Sequence, residues 1–271
     1  MDPIYDVIVI GAGHAGCEAA LSASKISKKV LLITHSVEKI ASMSCNPAIG
    51  GTAKGHLVRE IDAMGGAMGR IADQAGIQFR TLNRKKGPAI WSSRAQIDMF
   101  LYSHKMKCFL EGIENLDIKQ DTIENLLLDK KDGIWQASGV EGKIFGKITA
   151  KAVVIATGTF LNGLIHIGSQ RIAAGRMTDA LSLNLAACIK EFGFEVGRLK
   201  TGTTPRLDRK SLDFSSLEEQ GSDEVIIPFS YQTEKITQKL LPCYITHTNE
   251  KTHQVIKDHL HESALYSGAI T

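Results

Sequence analysis

The clearest pattern along the chain is a pair of short β-branched apolar runs separated by a small-residue helix pattern. Residues 4–10 (Ile-Tyr-Asp-Val-Ile-Val-Ile) and Val30 to Thr34 each have the length and character of a buried parallel strand. Between them lies Gly11-x-Gly13-x-x-Gly16, followed by an Ala-rich stretch from Cys17 to Ser24 that reads as a helix. Strand, glycine turn, helix and strand in this order predict a βαβ unit built to hold a dinucleotide. Gly11 permits the tight turn, Gly13 lets a pyrophosphate approach the backbone, and Gly16 lets helix pack on strand.

Further along, residues 44–55 read as a long glycine-bearing loop. A helix follows, with Leu57, Ile61 and Met64 on one face and Gly65-Gly66 as its stop. Residues 81–88 are basic and loop-like, and residues 94–110 return to helical spacing. Residues 116–128 and 134–149 alternate as strands do, with Asp132-Gly133 at a turn. Residues 152–156 predict another buried strand, ending in Thr157-Gly158. Residues 178–193 predict a helix stopped by Gly193. The character changes near residue 200, which divides the chain into a dinucleotide-binding domain (1–199) and the beginning of an inserted mixed α/β domain (200–271). The expected class is α/β, with a Rossmann-like FAD/NAD(P)-binding domain of the glutathione-reductase type.

Composition narrows the class. With 271 residues, 43% hydrophobic and 23% charged, the chain can bury an ample core as a soluble protein. A net charge of +3 tolerates a polyanionic partner without requiring one. The sequence predicts neither a membrane span nor a signal peptide. Five scattered cysteines without a Cys-x-x-Cys fit free thiols in a reducing cytoplasm.

Candidate chemistry is sparser. An acidic residue usually ends the second strand of a dinucleotide fold and binds ribose hydroxyls. Here Thr34 and His35 occupy that place, with Glu38 beyond, which argues against a plain NAD-dependent dehydrogenase. Cys45 sits in a glycine-rich loop near Lys54 and His56, surroundings that can activate a thiol; a lone cysteine filling a small gap is the commoner fate. Cys17, Cys108 and Cys188 read as packing residues. Cys243-x-x-x-His247 with His253, His259 and His261 matches no standard zinc spacing, so no metal site is expected. Arg80, Arg84, Lys85 and Lys86 suit phosphate contact, but a solvated basic loop is the default reading of so short a cluster.

Longer segments carry a resemblance. They include Gly11-Ala-Gly-His-Ala-Gly-Cys-Glu18, Ser44-Cys-Asn-Pro-Ala-Ile-Gly-Gly51, Asp73-Gln-Ala-Gly-Ile-Gln-Phe-Arg80, Lys86-Gly-Pro-Ala89 and Gly197-Arg-Leu-Lys-Thr-Gly-Thr203. Pro242-Cys-Tyr-Ile-Thr-His-Thr-Asn-Glu-Lys-Thr-His253 completes the set. Together they resemble the MnmG (GidA) family of flavoproteins from end to end of the chain. The resemblance implies modification of the wobble uridine (position 34) of certain tRNAs: a carboxymethylaminomethyl group is built on C5 together with the GTPase MnmE. It also implies FAD as cofactor, NADH as reductant, methylenetetrahydrofolate as carbon donor, glycine as amine donor, the tRNA anticodon loop as substrate, and a homodimer in the cytoplasm. By resemblance, Cys45 takes a catalytic role, and Gly11, Ala12, Gly13, His14, Ala15 and Gly16 form the FAD pyrophosphate loop. Ile123 and Ser182 match positions that touch FAD.

Some positions depart from the family pattern. Trp91 stands where an Arg is usual, Ala174 where a Gly is usual, and Thr204 where a Pro is usual. The chain also ends before the family's second catalytic cysteine, its FAD-closing segment and its C-terminal helical domain. The expectation is therefore an N-terminal part of such an enzyme, with activity of the isolated chain in question. Two rival readings remain: a folate- and FAD-dependent tRNA uracil-5 methyltransferase, which shares the nucleotide loop but not residues 44–51 or 242–253, and a non-catalytic FAD-binding fragment.

Overall fold

The computed structural model describes residues 4–43, 46–176, 182–202 and 204–268. Strand β1 (Tyr5–Ile10), helix α1 (His14–Ile26) and strand β2 (Val30–Thr34) form the expected unit. β1 and β2 run parallel, with Val7 opposite Val30 and Ile10 opposite Ile33. The chain then makes a long excursion through β3 (Ala48–Gly50), α2 (Lys54–Ala63), α3 (Met68–Ala75), β4 (Gly76–Leu82), β5 (Ser92–Ile97) and α4 (Met99–Glu111). It returns as β6 (Leu116–Gln120), parallel to β2 on its outer side.

A meander of β7 (Ile123–Lys131), β8 (Ile134–Gly142) and β9 (Gly146–Ile155) completes a six-stranded sheet of order β6-β2-β1-β9-β8-β7. The β7–β8 turn is the Asp132-Gly133 pair, both residues at positive φ (+50° and +82°) as a two-residue hairpin turn requires. β9 changes partner along its length. Residues 146–149 pair antiparallel with β8, and residues 150–155 pair parallel with β1. Among the described residues the other side of 150–155 has no strand partner, and Val154 and Ile155 are exposed there.

Strands β1 and β2 are covered on both faces, which is why they read as continuous apolar runs. Val9, Val30 and Leu32 point to one face and pack with Cys17, Ala20 and Leu21 of α1 and Tyr102, Met106 and Leu110 of α4. Ile8, Ile10, Leu31 and Ile33 point to the other and meet Ile123, Val140 and Ile148 of the meander. Leu185 and Ile189 from α5 (Leu183–Glu191) close that second layer. The fold is thus α/β and Rossmann-like.

A hairpin of β10 (Leu164–Ile167) and β11 (Gln170–Ala173), a short pair β12 (Glu218–Gln220) and β13 (Cys243–Ile245), and helix α6 (Glu250–Asp258) complete the elements. The segment before β13 returns to the excursion. Phe229 is fully buried, and the Asp73 carboxylate accepts from the Phe229 and Ser230 N–H groups at 2.8 Å each. Asp62 accepts from Tyr231 N–H at 2.9 Å, and Leu241 N–H donates to Ile77 O at 2.8 Å.

Five sequence expectations need correction. The stretch read as a loop over 44–55 holds strand β3 and the first residues of α2. Residues 152–155, expected as a buried strand, are the end of β9, where Val154 and Ile155 are exposed because no strand covers that edge among the described residues. Residues 94–110 are not one helix. Ser92–Ile97 is the middle strand of an antiparallel sheet β3-β5-β4, and α4 begins only after Asp98, which caps it by accepting from Phe100 and Leu101 N–H. Helix α2 buries Gly55, Val58 and Asp62, whereas Leu57 and Met64 are 57% and 76% exposed. Cys108 is exposed rather than packed, with its sulfur 3.7 Å from His104 Nε2. Helix α3 was not legible as a helix at all. Of the predicted helix 178–193, residues 178–181 lie outside the described residues; α5 ends before Gly193, which has φ +85°.

Candidate nucleotide-binding site

The glycine turn sits where the carboxyl ends of β1, β2 and β9 meet. Gly11 N–H donates to Ile33 O at 2.7 Å, and Ala156 N–H donates to Ile10 O at 2.8 Å, so the turn is locked on both sides. Gly11 has φ +96°, and a Cβ there would lie 2.5 Å from Ala156 O. A Cβ on Gly16 would lie 1.7 Å from Gly11 O. These two positions take glycine because backbone already fills the space. Gly13 is different: a Cβ there would meet nothing within 4 Å.

That open space faces the start of α1. The first N–H groups of a helix have no intrahelical acceptor. Here the N-cap is Gly13, no side chain among the described residues caps the end, and the first turn holds no acidic residue. The helix therefore presents free donors and its positive dipole end to an open cradle. The residues fit a dianionic pyrophosphate.

His14, first residue of α1, packs edge-on against Tyr102 with ring centroids 5.6 Å apart. Burial lowers its pKa, so the ring is neutral and the cradle's attraction for anions rests on backbone. Among the described residues, His14 Nδ1 and the Tyr102 hydroxyl are both buried without a hydrogen-bond partner. Burial likewise pushes the Cys17 thiol up to about 12, so it stays a protonated packing group. Glu18 accepts from Ala67 N–H and Met68 N–H at the start of α3, fixing α1 against the excursion.

At the end of β2, His35 Nδ1 lies 3.1 Å from Thr122 Oγ1 and its Nε2 lies 3.1 Å from Ser182 Oγ. One imidazole thus ties the ends of β2 and β6 to the start of α5. Ser182 is 3% exposed. Ile123, next to Thr122, is 2% exposed, and its side chain belongs to the core with Ile33 and Leu185. Only its main chain is left to meet a ligand. Glu38, the nearest carboxylate in sequence after β2, is turned to Lys107 of α4 at 3.1 Å. The structure therefore brings residues 11–16, Ile123 and Ser182 to the same carboxyl edge of the sheet. Cys45 lies outside the described residues. Thr122 and Tyr102 carry no sequence signal for this site; a strand-end Thr and a helical Tyr look ordinary until the chain is folded.

Elsewhere, no three His, Cys, Asp or Glu side chains among the described residues group to hold a metal. His253 bonds Thr248 and His259 bonds Glu262. Among the described residues no helix is long and apolar enough to cross a membrane.

Comparison with known proteins decides the family. The family model described as glucose inhibited division protein A matches residues 6–271. The chain belongs to the GidA family. A tRNA uridine 5-carboxymethylaminomethyl modification enzyme MnmG from Thermodesulfovibrio yellowstonii is 56% identical over 268 residues, covering 98% of this chain and 42% of the relative. The MnmG of Geobacter sulfurreducens is 51% identical over 266 residues, again 98% of this chain and 42% of the relative. The solved structure of Aquifex aeolicus GidA superposes with a TM-score of 0.91 at 44% identity, covering 98% of this chain and 45% of that one. The chain thus spans less than half the length of these GidA-family relatives.

Proposed function

We propose that this chain is the FAD-binding portion of a flavoprotein that builds the carboxymethylaminomethyl group on C5 of the tRNA wobble uridine. The observation that carries the reading is the open, uncapped cradle at Gly13 in a chain 56% identical to an MnmG. In this reading the N–H groups at the start of α1 and the turn from Gly11 to Gly16 hold the FAD pyrophosphate. Ile123, through its main chain, and Ser182 line the nucleotide end, with His35 orienting the Ser182 hydroxyl.

Bound FAD, reduced by NADH, supplies hydride and one-carbon chemistry that side chains cannot perform, with the carbon drawn from methylenetetrahydrofolate. Cys45 is proposed as the thiolate that adds to uracil C6, which makes C5 nucleophilic. The wobble base is single-stranded, so presenting it to a pocket costs little. The reading includes MnmE as partner, a homodimer and a cytoplasmic setting. It keeps a domain boundary near residue 200, with 1–199 holding FAD and 200–271 opening the second domain.

The test is the visible spectrum of the purified chain before and after incubation with FAD and gel filtration. A retained flavin band is the expected result. A folded chain that retains none would overturn the assignment of FAD binding to residues 1–271. For the catalytic role, Cys45→Ser in a protein competent for modification is expected to abolish formation of the modified uridine; unchanged modification would remove Cys45 from the chemistry.

A further inference from the structure

The basic loop between β4 and β5 has no part in the nucleotide site, yet it is built with care. It leaves β4 through Asn83 at φ +62°, makes a 3-10 turn at Arg84–Lys86, and reverses through Gly87 at φ +99°. A second 3-10 turn, Pro88–Ile90, leads to Trp91. The Asn83 amide donates to Thr52 Oγ1 and to Ile90 O, both at 3.2 Å. The Trp91 indole N–H donates to Arg84 O at 3.2 Å, which fixes the ring. The Asn83–Thr52 bond sets the loop against the turn that opens α2, where Lys54 is exposed.

What this frame holds outward is positive charge around an aromatic plane. Arg84, Lys85 and Lys86 are exposed, and Trp91 is 41% exposed. Lys54, Lys85 and Lys86 make no ion pair among the described residues, while Arg84 is countered by Asp223 at 3.1 Å. Residues 83–91 contain no acidic side chain. Uncompensated lysines beside a fixed, accessible indole match a ligand with closely spaced anions and flat apolar faces. An acidic peptide satisfies the lysines and leaves the indole unused. Single-stranded nucleic acid satisfies both.

We propose that this loop binds single-stranded RNA, with Lys85 and Lys86 on phosphates and Trp91 stacked on a base. The proposal rests on the tRNA reading above and adds where the RNA strand is gripped. Filter binding of an anticodon stem-loop RNA to the 271-residue chain, over a salt series, tests it. Changing Lys85 and Lys86 together to Ala is expected to lower the slope of log K against log salt by about 1.4, from about 0.7 per single-strand phosphate contact. Trp91→Ala is expected to weaken binding about tenfold, and Trp91→Phe, which keeps a stacking face, to weaken it far less. In a Trp135→Phe background the remaining indole emission should be quenched by the RNA. Circular dichroism melts matching the parent chain confirm that the variants fold.

A parent chain that binds RNA with slope and affinity untouched by these changes overturns the loop proposal and leaves the tRNA reading standing. A folded chain that binds no RNA overturns the proposal and removes RNA binding from this part of the protein. Equal competition by polyglutamate, with no effect of Trp91→Ala, would assign the loop to a protein partner instead.

Discussion

Gly13 and Gly16 are three residues apart in one motif, yet the structure assigns them opposite kinds of necessity. At Gly16 a Cβ would lie 1.7 Å from the Gly11 carbonyl oxygen, well inside the 3.0 Å that real Cβ atoms respect. Relief requires α1 and the turn to separate by over an ångström, against the Ile33 and Ala156 bonds that pin the turn. Overpacking ordinarily costs about 1–3 kcal/mol, and a clash with backbone belongs at or above the top of that range. Gly16→Ala is therefore expected to lose about 3 kcal/mol or more. At Gly13 the backbone is extended (φ −73°, ψ −173°), which any residue adopts, and the Cβ enters empty space. Ala is a poorer N-cap than Gly, and it loses less chain entropy on folding by about 0.4–1 kcal/mol; the two effects oppose. Gly13→Ala should leave stability within about 0.5 kcal/mol. The methyl then stands where the pyrophosphate must approach, so FAD affinity should fall at least about tenfold. Urea unfolding followed by circular dichroism gives the first quantity, and quenching of FAD fluorescence gives the second. The reasoning fails if Gly13→Ala destabilises as much as Gly16→Ala, or if it binds FAD as the parent does.

Other outcomes follow from buried polar groups and thiols. The Tyr102 hydroxyl is buried without a partner among the described residues, so Tyr102→Phe should be neutral or stabilising by about 1 kcal/mol in urea melts; a clear loss would reveal a buried water bridging it to His14. Asp73→Asn replaces one of two acceptor oxygens with a donor facing an N–H, and should cost about 2 kcal/mol at pH 7. Burial holds Asp73 and Glu18 above their ordinary values of 3.8 and 4.5. The folded state therefore binds these protons more tightly than the unfolded one. Their contribution to stability is full below those ordinary values and is lost as pH rises from there through the folded pKa. Asp73→Asn should make that decline shallower, and an unchanged stability–pH curve would contradict the linkage. Alkylation of the native chain, located by mass spectrometry, should label Cys108 and spare Cys17 and Cys188; protection of Cys108 would contradict its exposure.

The βαβ unit was legible because its logic is local. An apolar run, three glycines and a small-residue helix follow one another, and each residue's neighbours in space are its neighbours in sequence. The Asp132-Gly133 hairpin was legible for the same reason. The excursion between β2 and β6 was not. Strand β5 reads Ser-Ser-Arg-Ala-Gln-Ile, with too few apolar residues to signal a strand, and it is defined by pairing with both β3 and β4. On α2 the buried polar residue is Asp62, whose carboxylate is spent on the backbone of Tyr231, 169 residues away. No window of sequence around Asp62 contains that partner, so the apolar pattern alone puts Leu57 and Met64 on the inner face. In the candidate site the glycines and the place of His35 could be read from spacing. Ile123 and Ser182 entered only through resemblance, since what joins them to the site is the pair of contacts His35 makes to Thr122 and Ser182.

Strand β9 bears on what the rest of a longer polypeptide, or a neighbour, can do here. Its first residues are zipped to β8, while its last six, unpaired on that side among the described residues, offer one row of main-chain donors and acceptors, flanked by Val154 and Ile155. Such a rim is a template for strand addition. It also runs directly into Ala156, the residue that seats Gly11. Any extended segment laid along it would lengthen the sheet and, at its far end, become a wall of the nucleotide cradle. Docking at this edge and occupancy of the cradle are then neighbouring events, separated by a single residue.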